Sequence, residues 1–302
     1  MADCRKRQIK LRMINVKKIF YNFVSFLSSF IIGVFFLIVG YICLKVFVYD
    51  TFPVNSYSMM PSIQPGDRVF VNKLLFGSRI YKNLNFLEGG ELNSFRIKGF
   101  RGIKYNDVLL FNHLVGEDWS RTGFVINGVY AKRCIGLPGD TLSIINGAYK
   151  NSSVSDKVLH THFPDPKGKR TIEPSILICY PYDDRVNWTI LDFGPLYIPR
   201  KGDSINLTIY NAIIYRKYIE YETGKKMKIT DDSVFLKEIP VNFHVFKNNY
   251  FFMAGDNFPD SRDSRYFGLI PEEFIIGIAP IIIFSRDPIT KRTNYHRITK
   301  PI

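Results

Sequence analysis

Polar and apolar positions along the chain fall into distinct regimes. Residues 19–44 carry no charged side chain, and the centre of the run reads FIIGVFFLIVGYICL. A bilayer is crossed by about 20 mainly apolar residues in helical form, so this run predicts one transmembrane helix, long enough to tilt. It exceeds the apolar core of about 7–15 residues found in a cleavable secretory signal. The following LKVFVYDTFPVN also offers no pair of small residues at cleavage spacing. The segment therefore reads as an uncleaved anchor. Beyond it, short apolar runs alternate with turn residues. DRVFVNKLLF follows Pro65-Gly66, DVLLFN follows Tyr105-Asn106, and YAKRCIGL ends in Pro138-Gly139-Asp140 before TLSIING. These lengths and residue types predict strands punctuated by turns. FIIGIAPIIIF is about half a spanning length and contains Pro280, which predicts a buried strand pair instead of a second membrane pass.

Between about residues 151 and 242 the pattern becomes more polar, with FPDPKGKRTIEP and PRKGDSINLT, and YNAIIYRKYIEYETGKK is the best candidate for a soluble helix. From Tyr250 the strand-like pattern returns in YFFMAGDNFPDSRDSRYFGLIPEE. A loop so dense in Gly, Asp, Asn, Ser and Arg is costly to order unless its polar groups bond one another, so it reads as part of a site. The expected organisation is a basic segment (1–18), an anchor (19–45), a first part of a core (50–150), an inserted β-rich, non-catalytic subdomain (151–242), and a second part of the core (243–302). The expected fold class is mainly β, with a single N-terminal membrane helix.

Charge refines the picture at one end. The 302-residue chain carries a formal net charge of +14. Arg5, Lys6, Arg7, Lys10, Arg12, Lys17 and Lys18 precede the anchor, against only Asp3. Basic residues resist translocation, which predicts an N-terminus inside and everything after the anchor outside. Anionic lipid is the simpler partner for that cluster, because no nucleic-acid-binding motif accompanies the charge. His160 and His162 lack further ligands at usable spacing, so no metal and no cofactor are expected. Cys134 and Cys179 face the oxidising side, and two buried free thiols are the simpler reading.

Candidate chemistry centres on SYSMMPS, residues 56–62. A serine hydroxyl needs a base to become a nucleophile, and none of the five histidines lies in a recognisable triad motif. A lysine serves if burial leaves its amine neutral. In YAKRCIGLPGD, strand alternation puts Tyr130, Lys132 and Cys134 on one face and Arg133 on the other. Lys132 thus shares a face with two largely apolar neighbours. Taken alone, a strand lysine is usually solvated; the segments become specific only together.

Together they resemble bacterial type I signal peptidase, a membrane-anchored Ser–Lys protease family. SYSMMPS is similar to its nucleophile motif, KYNDVLLF to its second motif, YAKRCIGLPGD to the lysine strand and GDNFPDSRDSRYFG to its last motif, in the same order after a single anchor. The resemblance implies an all-β catalytic domain and cleavage of signal peptides from secretory preproteins. It implies Ser58 as nucleophile, Lys132 as general base, and Ser56 joining the Ser58 N–H in the oxyanion hole. It also implies Ser261 orienting the lysine, Asp263 and Arg265 as a bracing pair, and Tyr130 packed beside Lys132. Met59 and Met60 are expected to line substrate pockets or touch lipid, with core filling an equal alternative for one of them. The implied setting is a bacterial cytoplasmic membrane, near the secretion translocon. This chain departs from the pattern at Phe258-Pro259-Asp260, at Ser62 and at Asn106, none within the dyad. Self-cleaving repressors of similar core are soluble and DNA-bound, whereas an anchor stands here; a tethered binding module would not need both Ser58 and Lys132.

Overall fold

A computed structural model describes residues 2–83, 92–112, 122–155, 159 and 177–302, with side chains from Phe20 onward. His113, His160 and His162 lie outside the described residues. The chain divides into two compact units, Met1–Val46 and Phe47–Ile302. The first is built on one helix, Ala2–Cys43. The apolar stretch Phe20–Val48 is 29 residues long and wholly unburied, which at 1.5 Å per residue reaches about 40 Å. Phe26, Phe36 and Leu37 are all exposed. A helix that is apolar all round is unsuited to water and suited to hydrocarbon. It is a membrane anchor.

The second unit is organised on a seven-stranded antiparallel sheet. Its order is Tyr49–Pro53, Asp67–Asn72, Ile275–Ser285, Val108–Asn112, Val129–Gly136, Tyr250–Ala254 and Ile270–Pro271. The expected strand pair near the C-terminus is instead one strand, Ile275–Ser285. Its register slips between Ile278 and Ile281, around Pro280, where the missing N–H cannot feed the ladder. Before the slip it pairs with Val108–Asn112, and it pairs with Asp67–Asn72 on both sides of it.

The lysine strand, Val129–Gly136, sits between Val108–Asn112 and Tyr250–Ala254. Tyr130 and Cys134 pack with Leu109, Phe111, Met253 and Phe267. Val129 and Ala131 pack with Met59, Val69 and Ile282. The predicted alternation of faces therefore holds.

Among its described residues, the segment 151–242 holds the short strands Phe193–Tyr197, Ser204–Asn206, Met227–Ile229, Val234–Leu236 and Ile239–Pro240, together with the helix expected from YNAIIYRKYIEYETGKK. Its longest described element is the helix Ile209–Thr223, capped by the Thr208 side chain and ended by Gly224 in the left-handed conformation. Ala212, Ile213, Ile214, Tyr215, Lys217, Tyr218 and Ile219 are all buried, so the helix has no single apolar stripe. Ala212, Ile214 and Tyr218 share one core cluster with Tyr250, Phe252 and Ala254 of the sheet. The strand Phe193–Tyr197 pairs with Thr141–Ile145, which also pairs with Ala148–Asn151. The segment belongs to the same compact unit as the sheet.

Candidate active site

The nucleophile candidate lies on a closed loop between the first two strands of the sheet. Val54 N–H donates to the Asp67 carbonyl and Gly66 N–H to the Val54 carbonyl, each at 2.8 Å, which pins the loop's two ends together. Inside it, Met60 N–H bonds the Tyr57 carbonyl and Ile63 N–H the Met59 carbonyl. Pro61 follows a cis peptide bond. The loop is fixed from across the molecule as well. Asn257 donates its backbone N–H to the Ser58 carbonyl at 3.1 Å and its amide to the Tyr57 carbonyl at 3.1 Å.

The central contact joins loop to sheet. Lys132 Nζ lies 2.5 Å from Ser58 Oγ, with both residues buried. Removal from water disfavours an ammonium, and burial lowers the Lys132 amine from 10.5 to about 8; Asp263 opposes that shift and Arg265 adds to it. Ser56 Oγ is 3.3 Å from Ser58 Oγ. The Ser58 backbone N–H donates to no group among the described residues. Ser56 is exposed, whereas Ser58 is buried.

Tyr130 stacks on Phe111 at 6.1 Å between centroids and meets Phe267 edge-on at 6.0 Å. It walls the lysine's face of the strand with rings. Burial raises its phenol pKa, with Arg262 opposing.

Asp263 and Arg265 form a two-pronged pair at 2.8 and 2.9 Å, both side chains wholly buried. Arg265 also donates to the Phe258 and Ser261 carbonyls, and its guanidinium lies 3.7 Å from the Phe258 ring centroid. Asp263 accepts from Gly255 N–H at 2.9 Å. Burial favours the neutral acid, yet Arg265 outweighs it and holds the Asp263 carboxyl below its ordinary value. The pair ties the loop 255–265 into one piece.

Ser261 falls in this loop, but its hydroxyl is buried and has no hydrogen-bond partner among the described residues. The expected bond to the lysine amine is not made in this structure. The loop is nonetheless drawn tight: a Cβ on Gly255 would lie 2.0 Å from Ser261 Oγ and 2.6 Å from the Ser58 carbonyl oxygen. Only glycine lets the loop come this close.

The two methionines part company. Met59 is 1% exposed and packs among Val54, Ile63, Val69 and Leu110. Met59 is a core side chain, the alternative left open for one of the two, and Met60 is only half-buried.

Sequence reasoning also missed an ion pair. Arg133, on the opposite face from Lys132, is buried, not solvated, and pairs with Asp256 at 2.6 Å. It also bonds the Asn106 carbonyl at 2.8 Å and Ser62 Oγ at 3.3 Å. Arg297 makes a second such tie, to Asp67 at 2.6 Å and the Ser62 carbonyl at 2.9 Å. Alternation could have placed Arg133 on its face, but not its partner. Among the described residues no cluster of three His, Cys, Asp or Glu side chains is placed to hold a metal ion. Cys134 and Cys179 are buried and free.

Residues 26–284 match a family model described as signal peptidase, peptidase S26. Signal peptidase I of Buchnera aphidicola subsp. Schizaphis graminum is 25% identical over 257 residues, covering 80% of this chain and 70% of the relative. Signal peptidase I of Buchnera aphidicola subsp. Acyrthosiphon pisum is 28% identical over 256 residues, covering 81% and 71%. That of Helicobacter pylori strain 26695 is 23% identical over 251 residues, covering 79% and 76%.

Proposed function

The chain belongs to the signal peptidase family, peptidase S26, and from that premise we propose that it removes signal peptides from preproteins with Ser58 as nucleophile and Lys132 as general base. It is a membrane-anchored serine endopeptidase. The observation that carries the site assignment is the buried 2.5 Å contact between Lys132 Nζ and Ser58 Oγ.

The chemistry follows from that contact. A protonated lysine donates to the hydroxyl and holds it; a neutral lysine offers a lone pair to the same proton. With the pKa lowered to about 8, roughly a tenth of the amine is neutral at pH 7. As Ser58 Oγ attacks the scissile carbonyl carbon, its proton passes to Lys132 Nζ. The carbonyl π electrons move onto oxygen, and that oxyanion takes hydrogen bonds from the Ser58 N–H and the Ser56 hydroxyl. Collapse breaks the C–N bond, and the ammonium of Lys132 returns its proton to the departing amine. The ester left on Ser58 is then opened by a water that gives its proton to the same lysine, and Ser58 is released with its hydrogen restored.

The remaining assignments support this frame. Asp263 and Arg265 brace the loop that packs against the dyad, and Tyr130 keeps water from the lysine. Ser261 is assigned to orient the lysine amine. Met60 borders the site, where it meets the side chains before the cleaved bond. The segment 151–242 contributes no group that touches substrate. The N-terminus is inside a bacterial cytoplasmic membrane and the catalytic unit outside, with phospholipid and the secretion translocon as neighbours. Labelled preprotein, incubated with the full-length protein in detergent, tests the reading. Cleavage should vanish in Ser58→Ala and Lys132→Arg; near-normal turnover in either variant would refute it.

A further inference from the structure

The helix Ile209–Thr223 lies outside every motif that carries the chemistry, yet two of its side chains hold the backbone of the last motif. Lys217 Nζ donates to the Phe267 carbonyl at 2.5 Å. The next residue, Tyr218, accepts from the Leu269 N–H at 2.6 Å. From the segment before the helix, Tyr180 N–H donates to the Arg265 carbonyl at 2.9 Å. Between these points Gly268 has φ +71°, and a Cβ there would lie 2.2 Å from the Tyr218 hydroxyl and 3.0 Å from Lys217 Nζ. The helix can grip the loop this closely because residue 268 has no side chain.

A buried ammonium is expensive unless it is bonded. Lys217 is 5% exposed. Its Nζ lies 4.6 Å from the Tyr180 ring centroid and 5.3 Å from that of Tyr218, so cation–π attraction offsets part of the cost while the carbonyl directs the charge. A helix serving only to fill space would be cheaper with an apolar residue here.

The gripped loop leads directly to the dyad. Ser264 Oγ accepts from Met253 N–H and Asp263 from Gly255 N–H. Met253 stands opposite Cys134, and Ala254 opposite Arg133, on the lysine strand. Ser261 in turn lies against Gly255 and the Ser58 carbonyl. We propose that Lys217 and Tyr218 are positioning residues for catalysis: they hold the loop 263–269 so that it closes the dry side of the Ser58–Lys132 contact. The proposal rests on the Ser58–Lys132 reading and adds a role for the inserted segment.

A loosened loop admits water to the lysine, and its pKa climbs from about 8 back toward 10.5. Displacement of about 1 Å at a reacting pair costs up to about a hundredfold in rate. Lys217→Met and Tyr218→Phe, in the full-length detergent-solubilised protein, should each lower kcat by about tenfold. KM should stay within about twofold, since the groups do not touch substrate. The acid limb of the kcat profile should move to higher pH, and amide exchange at Gly268 and Leu269 should quicken. Arg216→Ala, on the exposed side of the same helix, should change none of these. Ser58→Ala run alongside tests the underlying reading: residual cleavage there sinks the dyad whatever the helix variants do. With Ser58→Ala inactive, faster exchange but an unmoved pH profile and kcat would mean a purely structural helix, and would overturn the proposal. Should Lys217→Met fail to fold, Tyr218→Phe decides alone, because it keeps the ring and removes only the hydroxyl that accepts from Leu269 N–H.

Discussion

Replacing Lys132 with methionine should abolish cleavage and at the same time make the protein more stable below about pH 8. Lys132 is 3% exposed, and burial lowers its amine from 10.5 to about 8. A shift of one pKa unit corresponds to about 1.4 kcal/mol, so the charged amine costs the fold about 3 kcal/mol. The sign follows from linkage. Below about pH 8 the amine is charged in both the folded and unfolded chain, and the whole cost is present. Between about 8 and 10.5 the folded state has lost its proton while the unfolded state keeps it, so the cost shrinks as pH rises. At 10.5 and above it is gone. Methionine has a similar length and no charge, and its loss of the bond to Ser58 returns about 1 kcal/mol. The net gain at pH 6.5 is then about 2 kcal/mol, falling to nothing or to a small loss near pH 10. Urea unfolding of the catalytic unit in the full-length protein, at pH 6.5, 8 and 10, reads this directly. The wild-type profile of kcat/KM should rise through an apparent pKa near 8, since that ratio reports groups of the free enzyme. An acid limb above about 10, or a stability gain of the Met variant over wild type no larger at pH 6.5 than at pH 10, would refute a desolvated lysine base.

Other changes test neighbouring parts of the argument. Ser56→Ala removes one donor beside Ser58 and should lower kcat by about tenfold to a hundredfold with KM little changed; full activity would remove Ser56 from the oxyanion site. Met59→Ala empties a core position and should cost about 2–5 kcal/mol in unfolding free energy, whereas Met60→Ala should leave stability nearly unaltered and raise KM for preprotein. Asp256→Asn strips the charge that Arg133 faces inside the protein and should cost about 3–5 kcal/mol, read as a lowered denaturation midpoint. Protease added to spheroplasts should digest the catalytic unit; its protection would contradict an N-terminus inside.

What was legible in the sequence was local. Residues 19–44 announce their solvent by the absence of charge, and the strands announce themselves by short apolar runs between turns. Ser58 and Lys132 stand out because each lies in a compact motif, and alternation along the lysine strand needs only neighbours two apart. What was hidden depended on pairs far apart. Arg133 meets Asp256 across 123 positions and Arg297 meets Asp67 across 230; no local pattern connects them. Met59 and Met60 are adjacent and chemically identical, so only the path of the closed loop decides which enters the core. The helix Ile209–Thr223 was expected from its own stretch of sequence, but its burial around most of its surface leaves no apolar stripe to show which elements it packs against.

The arrangement also resolves two opposed demands on one site. A lysine acts as a base only where water is scarce, while an oxyanion is stabilised only by polar donors held ready to receive it. On the proposed reading, both requirements meet at Ser58 Oγ. Toward the sheet, Lys132 lies on the face that Tyr130 and Cys134 share with Phe111 and Phe267. Ser56 is exposed and the Ser58 N–H is uncommitted among the described residues. The arrangement depends on the loop 255–265 coming within contact of the Ser58 carbonyl, which the missing side chain of Gly255 permits and the Asp263–Arg265 pair maintains. Under the proposed mechanism, the Asp263–Arg265 pair would then act on the chemistry through the dryness it preserves around one amine.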